Sequence, residues 1–388
     1  MTYADRTHHL RPEGAYQVLA RAQELEASGR EIIHLEIGQP DFETFDNIRV
    51  AGIRAIAEGH TRYTHPIGMR ALREVIAEDA GKRHGLHIHP DQVVVSPGAK
   101  PNLFFPVLAL IEPGDEVIYP NPGFPTYEAM IRVAGGIPIP VPLKEEKDFS
   151  FDLDAFRQLV NQRTKLVILN SPSNPTGGVM PQADLEEIAA IAQKYNFWVL
   201  SDEIYARVAY DDADVPSIAS LPGMVDRTII VDGFSKTYAM TGWRLGYGIM
   251  PKDLAQVVQL LLTHSVGCTA NFVQIAGIEA LTGPQEQVYT VVKEYQKRRD
   301  VIVARLNAIP SVTCQCPKGA FYVFPNIKSF GLSSAEVADL LLEKANVAVL
   351  PGSSFGEYGE GYLRLVYSNS IQNIETATDR ISEALQSL

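Results

Sequence analysis

Seven short β-prone runs recur along the middle of the chain: Q-V-V-V-S (92–96), E-V-I-Y-P (116–120), I-P-I-P-V-P-L (137–143), K-L-V-I-L-N (165–170), F-W-V-L-S-D (197–202), T-I-I-V-D-G-F (228–234) and R-L-G-Y-G-I-M (244–250). Several are apolar throughout instead of alternating, the pattern of strands covered on both faces. Between them lie segments such as Q-A-D-L-E-E-I-A-A-I-A-Q-K-Y (182–195), whose apolar residues return at helical spacing. The alternation predicts an α/β fold with a mostly parallel seven-stranded sheet between helical layers. After Pro284 the character changes to a long charged helix (291–306), a strand-like A-F-Y-V-F (320–324), a helix near 333–345 and V-A-V-L-P (347–351). Residues 285–388 are therefore expected to form a smaller α/β domain beside a large domain over 41–284. Residues 1–40 should join the smaller one, leading into the sheet without a strand of their own.

Size and charge narrow the function. With 388 residues, 46% of them hydrophobic, the chain can bury a core for two domains. A formal charge of −12 argues against nucleic acid or an anionic membrane as partner, since both select basic surfaces. Met1 is followed by T-Y-A-D-R-T-H-H, and no later run approaches the ~18 apolar residues of a membrane helix. A cytoplasmic protein handling small molecules is expected. Cys314 and Cys316 form a C-x-C without a second pair, and Cys268 stands alone, so free thiols and no metal are expected.

In open α/β sheets ligands bind beyond the carboxyl ends of the strands, and those ends are where this sequence places its polar residues. P-G-A-K follows the first run, N-P-G-F-P-T-Y the second, S-P-S-N-P-T-G-G the fourth, E-I-Y the fifth and S-K-T-Y the sixth. Gly98, Ala99 and Lys100 at a helix start offer free backbone N–H groups for a phosphate. Ser235 and Arg244 add donors, the arginine as a fork. Asp202 at the end of an apolar strand would be costly unless a cation faced it, and a protonated pyridine nitrogen is such a cation. Tyr205, read as three residues along one helical face, and the Asn174 amide can donate to a ring oxygen. Lys236, desolvated among cations, loses its proton readily and can form a Schiff base. Phosphate, pyridinium, phenolic oxygen and aldehyde together describe pyridoxal 5′-phosphate.

At this point the sequence resembles the fold-type I pyridoxal-phosphate enzymes, and among them the class I aminotransferases of the aspartate aminotransferase superfamily. The motifs are N-S-P-S-N-P-T-G (170–177), S-D-E-I-Y (201–205), F-S-K-T-Y-A-M-T-G-W-R-L-G-Y (234–247) and Y-L-R-L-V-Y-S (362–368), and the likeness runs from about Gly38 to the C-terminus. It implies Lys236 as the Schiff-base lysine and Asp202 as partner of the pyridine nitrogen. Asn174 and Tyr205 would meet the ring hydroxyl, and Phe124 would stack on the ring. Gly98 to Lys100, Ser235 and Arg244 would form the phosphate cup. Tyr63 resembles a tyrosine that reaches the phosphate from a neighbouring subunit, which implies a homodimer with shared sites. Arg364, aided by the backbone of Gly38, would grip the substrate α-carboxylate.

The implied reaction is a ping-pong exchange between an amino acid and a 2-oxo acid, in which Lys236 is both anchor and base and Asp202 keeps the ring an electron sink. Lys100 resembles the residue by which the bacterial branch reads a distal carboxylate, so aspartate and 2-oxoglutarate are the expected pair. Glu13, in R-P-E-G-A-Y (11–16) at the substrate mouth, argues instead for a cationic side chain. The two cannot govern one end of a substrate unless Glu13 points to solvent or Lys100 is taken by the phosphate. His65 and His264 are read as ordinary histidines. A lyase or cyclase using the same cofactor, and a regulator with an aminotransferase-like domain, remain open alternatives.

Overall fold

A computed structural model describes residues 2–8, 10 and 12–388. All seven predicted runs form strands of one sheet, in the order Val93–Ser96, Gly246–Ile249, Thr228–Gly233, Trp198–Asp202, Thr164–Asn170, Glu116–Asn121 and Ile137–Lys144. The four strands from Thr228–Gly233 to Glu116–Asn121 pair in parallel, and Ile137–Lys144 extends them in the same sense. Gly246–Ile249 runs antiparallel to both its neighbours. The polar residues that end the parallel strands therefore gather at one edge. A two-residue return, Ser150–Phe151, adds an eighth strand that the sequence reading did not contain.

The central strands are buried along nearly their whole length, which is why their sequences do not alternate. Helices cover them where the periodicity places them. Gln182–Tyr195 follows Pro181 and stops at Asn196, which takes the left-handed conformation at φ 56°. Ser334–Ala345 starts with a capping box between Ser333 and Glu336 and also ends on a left-handed asparagine, Asn346.

A second apolar cluster gathers Leu35, Tyr295, Phe321, Val347, Leu365 and Ile374. Its strands are short: Tyr322–Val323 and Leu350–Pro351 flank Leu363–Val366 in an antiparallel sheet. The V-A-V-L-P run divides between two sheets, because Val347–Ala348 pairs in parallel with Ile33–His34. This corrects the expectation that the first forty residues have no strand. Two residues are too few for a period to register, and this strand exists only through its distant partner.

Candidate active site

The parallel register sets the geometry. Asn170 pairs with Asp202, and Asp202 with Val231, so three strand ends present themselves side by side. Beyond them opens a cavity of about 530 Å³. Glu13, Gly38, Ala99, Lys100, Phe124 and Asn174 line it, as do Asp202, Tyr205, Ser235, Lys236, Arg244 and Arg364. Gly98 lies behind Arg244, where a Cβ would fall 2.2 Å from the guanidinium. Tyr63 is 97% exposed and does not line this cavity. His65 and His264 are exposed and also lie outside it. Within the 11–16 stretch, Arg11 lies outside the described residues.

Asp202 is the most costly group. Its Oδ2 accepts from Tyr127 Oη at 2.7 Å and its Oδ1 from the Ile204 N–H at 3.3 Å. Burial pushes its carboxyl up to about 6, against the lowering effect of those two bonds. Tyr205 sits on a turn, not on the helix the sequence suggested. Its hydroxyl lies 2.5 Å from that of Tyr322. Asn170 donates to the Asp202 carbonyl at 3.0 Å and accepts from the Asn174 N–H at 2.8 Å, which fixes the loop that carries Asn174.

Lys236 Nζ donates to the Gly38 carbonyl at 2.6 Å. Burial, followed by the positive fields of Arg364 and Arg244, brings its amine down to about 8. Arg244 holds a left-handed backbone at φ 54°, uncommon for a non-glycine residue that is neither asparagine nor aspartate. Gly98 faces it at φ 81° beside the start of helix Lys100–Leu110.

Arg364 is buried, and its Nη1 donates to Asn174 Oδ1 at 3.3 Å while Nη2 donates to the Glu36 carbonyl. Its guanidinium carbon stands 4.8 Å from the Tyr322 ring centre and 5.0 Å from that of Phe355. Its Nε has no hydrogen-bond partner among the described residues. A buried guanidinium with a donor to spare, beside the cavity, suits an incoming carboxylate.

Lys100 and Glu13 pair with each other through Nζ and Oε1, and Lys100 lies 5.2 Å from the Phe124 ring centre. The two charges that the sequence sets against each other thus meet, an arrangement the sequence reading did not contain. Glu13 is not turned to solvent, and Lys100 is held at the cavity mouth by Glu13. Tyr127, Tyr322 and Asn170 are the functional neighbours that reading missed. Tyr127 and Asn170 stood inside motifs already quoted, and only the strand register shows what they touch.

These residues fit a flat, cationic ring bearing a phosphate. Among the described residues Asp202 has no cation as a hydrogen-bond partner, Lys236 supplies an amine that loses its proton near pH 8, and a Cβ at Gly98 would meet the Arg244 guanidinium. Comparison with known proteins agrees. The family described as aminotransferase class I and II matches residues 30–381. The "Probable aspartate/prephenate aminotransferase" of Aquifex aeolicus is 40% identical over 391 residues, covering 99% of each chain. The aspartate aminotransferase of Pyrococcus horikoshii is 40% identical over 373 residues, 95% of this chain and 94% of that one. The solved aromatic aminotransferase of Pyrococcus horikoshii superposes with a TM-score of 0.90 at 40% identity, covering 95% of this chain and 99% of that one. The chain belongs to the class I and II aminotransferases, enzymes that use pyridoxal 5′-phosphate to move amino groups between amino acids and 2-oxo acids.

Proposed function

We propose that this aminotransferase exchanges the amino group of aspartate with 2-oxoglutarate, working in the cytoplasm as a homodimer with shared sites. The division into a sheet domain over 41–284 and a smaller domain built from both chain ends belongs to the same reading. The observation that carries it is the convergence of Lys236, Asp202, Arg244 and Arg364 on one cavity with Lys100 at its mouth. Pyridoxal 5′-phosphate, when bound, supplies an electron-withdrawing ring that stabilises the electron pair left on the substrate α-carbon. Asp202 would hold the proton on the ring nitrogen. Asn174 and Tyr205 would meet the ring hydroxyl, and Phe124 would cover the ring. Gly98, Ala99 and Lys100 through their backbone, with Ser235 and Arg244, would hold the phosphate. Tyr63 of a second copy would complete that cup.

On the substrate side, Arg364 fixes the α-carboxylate and orients the Cα–H bond, with the backbone at Gly38 closing the other side. Lys236, its amine lowered to about 8, takes the α-proton onto Nζ and carries it as an ammonium. Lys100 reads the distal carboxylate after exchanging Glu13 for the substrate. A cationic substrate would have to draw Glu13 away from Lys100, just as a distal carboxylate has to draw Lys100 away from Glu13, so the lyase or cyclase acting on a cationic amino acid stands as the alternative to this reading.

A second reading, aromatic substrates, is favoured by one observation: Lys100 and Glu13 already neutralise each other beside Phe124 and Tyr16 in the cavity wall. Mixing the holoenzyme with single amino acids, while recording the shift from aldehyde to amine cofactor and the keto acid formed, tests both. Aspartate and glutamate should convert fastest. Lys100→Ala should raise KM for aspartate far more than for alanine, whereas phenylalanine outpacing aspartate in the wild type would replace the first reading with the second.

A further inference from the structure

The residues just before Gly38 carry charges that none of the roles above uses. Glu36 is fully buried, with 0% exposure. Its Oε1 lies 2.7 Å from His34 Nδ1, and its Oε2 has no hydrogen-bond partner among the described residues. The other ring nitrogen of His34, Nε2, lies 3.0 Å from Oε1 of Glu26 on helix Gly14–Ala27. One imidazole thus faces a carboxylate at each end. A neutral imidazole donates from one nitrogen only, so with both carboxylates ionised the two contacts are both hydrogen bonds only when the ring is the doubly protonated imidazolium.

What hangs on this clamp is the substrate end of the cavity. The Glu36 carbonyl accepts from Arg364 Nη2, and the Gly38 carbonyl accepts from Lys236 at 2.6 Å. Helix Gly14–Ala27 brings Ala15 and Tyr16 to the cavity wall. On its far side the segment is bonded into the short sheets: the Leu35 N–H donates to the Ala348 carbonyl and the Val366 N–H to the Leu35 carbonyl, each at 2.9 Å. Beside the apolar packing of Ile32 on Ala22, Val18 and Leu25, the clamp joins this segment's side chains to the helix that walls the site.

We infer that His34 is a positioning residue for the substrate carboxylate: as imidazolium it ties Glu36 to Glu26, and so holds both the carbonyl behind Arg364 and the helix that walls the cavity. The inference rests on Arg364 as the carboxylate anchor. The charged groups facing the clamp are Glu26 from the helix and Arg364 from strand Leu363–Val366, whose field Glu36 and Glu13 share. Asn369 meets His34 only at its backbone carbonyl, at 3.1 Å, and Arg380 from helix Ile371–Gln386 reaches only the Glu31 carbonyl, at 3.3 Å. Burial works against charging His34, but the bonds to Glu36 and Glu26 overcome it and leave the ring above its ordinary value. The sign follows: the contribution is complete below the ordinary histidine pKa of ~6.5 and is lost as pH rises through the raised folded value.

Histidine-selective NMR of the holoenzyme, with His34 assigned through His34→Gln, and KM for the amino acid measured across pH test this together. His34 should titrate above the ordinary range, and KM should rise about tenfold across the same interval at nearly constant kcat, the scale of one charge-assisted hydrogen bond. Glu26→Gln, at an exposed position, should move both midpoints to lower pH. His34→Gln should remove the KM limb and hold KM at its high-pH level throughout. A limb that persists in His34→Gln, or midpoints that stay in place in Glu26→Gln, would overturn the inference. Arg364→Lys separates the two levels: if it leaves carboxylate binding intact, the anchor itself is wrong. Should His34→Gln fail to fold, Glu26→Gln still decides.

Discussion

Asp202 shows how a residue can be poor for stability and necessary for chemistry. Between about pH 4, where an unfolded aspartate ionises, and about 6, the folded chain keeps a proton that the unfolded chain has released. Stability of the cofactor-free protein therefore falls as pH rises through that window, by roughly 3 kcal/mol at 1.36 kcal/mol per pKa unit. Asp202→Asn keeps an acceptor for Tyr127 and removes the charge. It should melt higher than the wild type in cofactor-free form at pH 8, while single-turnover transamination slows by orders of magnitude. A lower melting temperature would mean that Asp202 is not held against its burial. Lys236 gives the complementary prediction. Its amine is lowered to about 8, so it is an ammonium below that pH and a nucleophile above it. Covalent capture of pyridoxal 5′-phosphate by the cofactor-free chain, followed by absorbance, should accelerate from pH 7 to 9 and then level. A rise continuing toward pH 10.5 would place the lysine in water.

Among the elements, the turn at 97–99 and the segment 234–245 are built as a tight pair. Gly98 at φ 81° lies against Arg244 at φ 54°. Gly98→Ala adds a methyl 2.2 Å from the guanidinium and strains the backbone at once. Cofactor Kd should rise about tenfold or more, the factor that 1.4 kcal/mol represents, with the sheet left folded. Equilibrium dialysis against far-ultraviolet circular dichroism separates the two. The long strands were legible because burial on both faces leaves an unbroken apolar run, as in Leu166 to Leu169, and helix Gln182–Tyr195 because its period is complete. The strand Ile33–His34 was not, because two residues carry no period. Nor was the turn at Tyr205: an aspartate at a strand end followed by E-I-Y reads as a helix start, but Tyr205 is held by Tyr322, far away in the chain. Glu13 and Lys100 were both picked out, yet opposite charges in separate segments carry no mark that they meet.

In the whole molecule, the proposed homodimer would use Tyr63, 97% exposed, as the residue offered to the second copy. If sites are shared, inactive Lys236→Ala and impaired Tyr63→Ala chains should regain activity when mixed and allowed to exchange, because one site of the hybrid then has both its lysine and its partner's tyrosine. Activity equal to the mean of the separate variants would mean each chain works alone. The pairing of Ile33–His34 with Val347–Ala348 has a consequence for synthesis. A chain leaving the ribosome can assemble the large sheet once Ile249 has emerged, since every strand it needs is by then outside. Gly38 cannot be seated until Val347 and then Arg364 follow it, long after the last strand of the large sheet. On the roles proposed above, most of the groups that would hold a ring and its phosphate thus emerge well before those that would grip a substrate, so a nascent chain would meet its cofactor while still unable to consume amino acids.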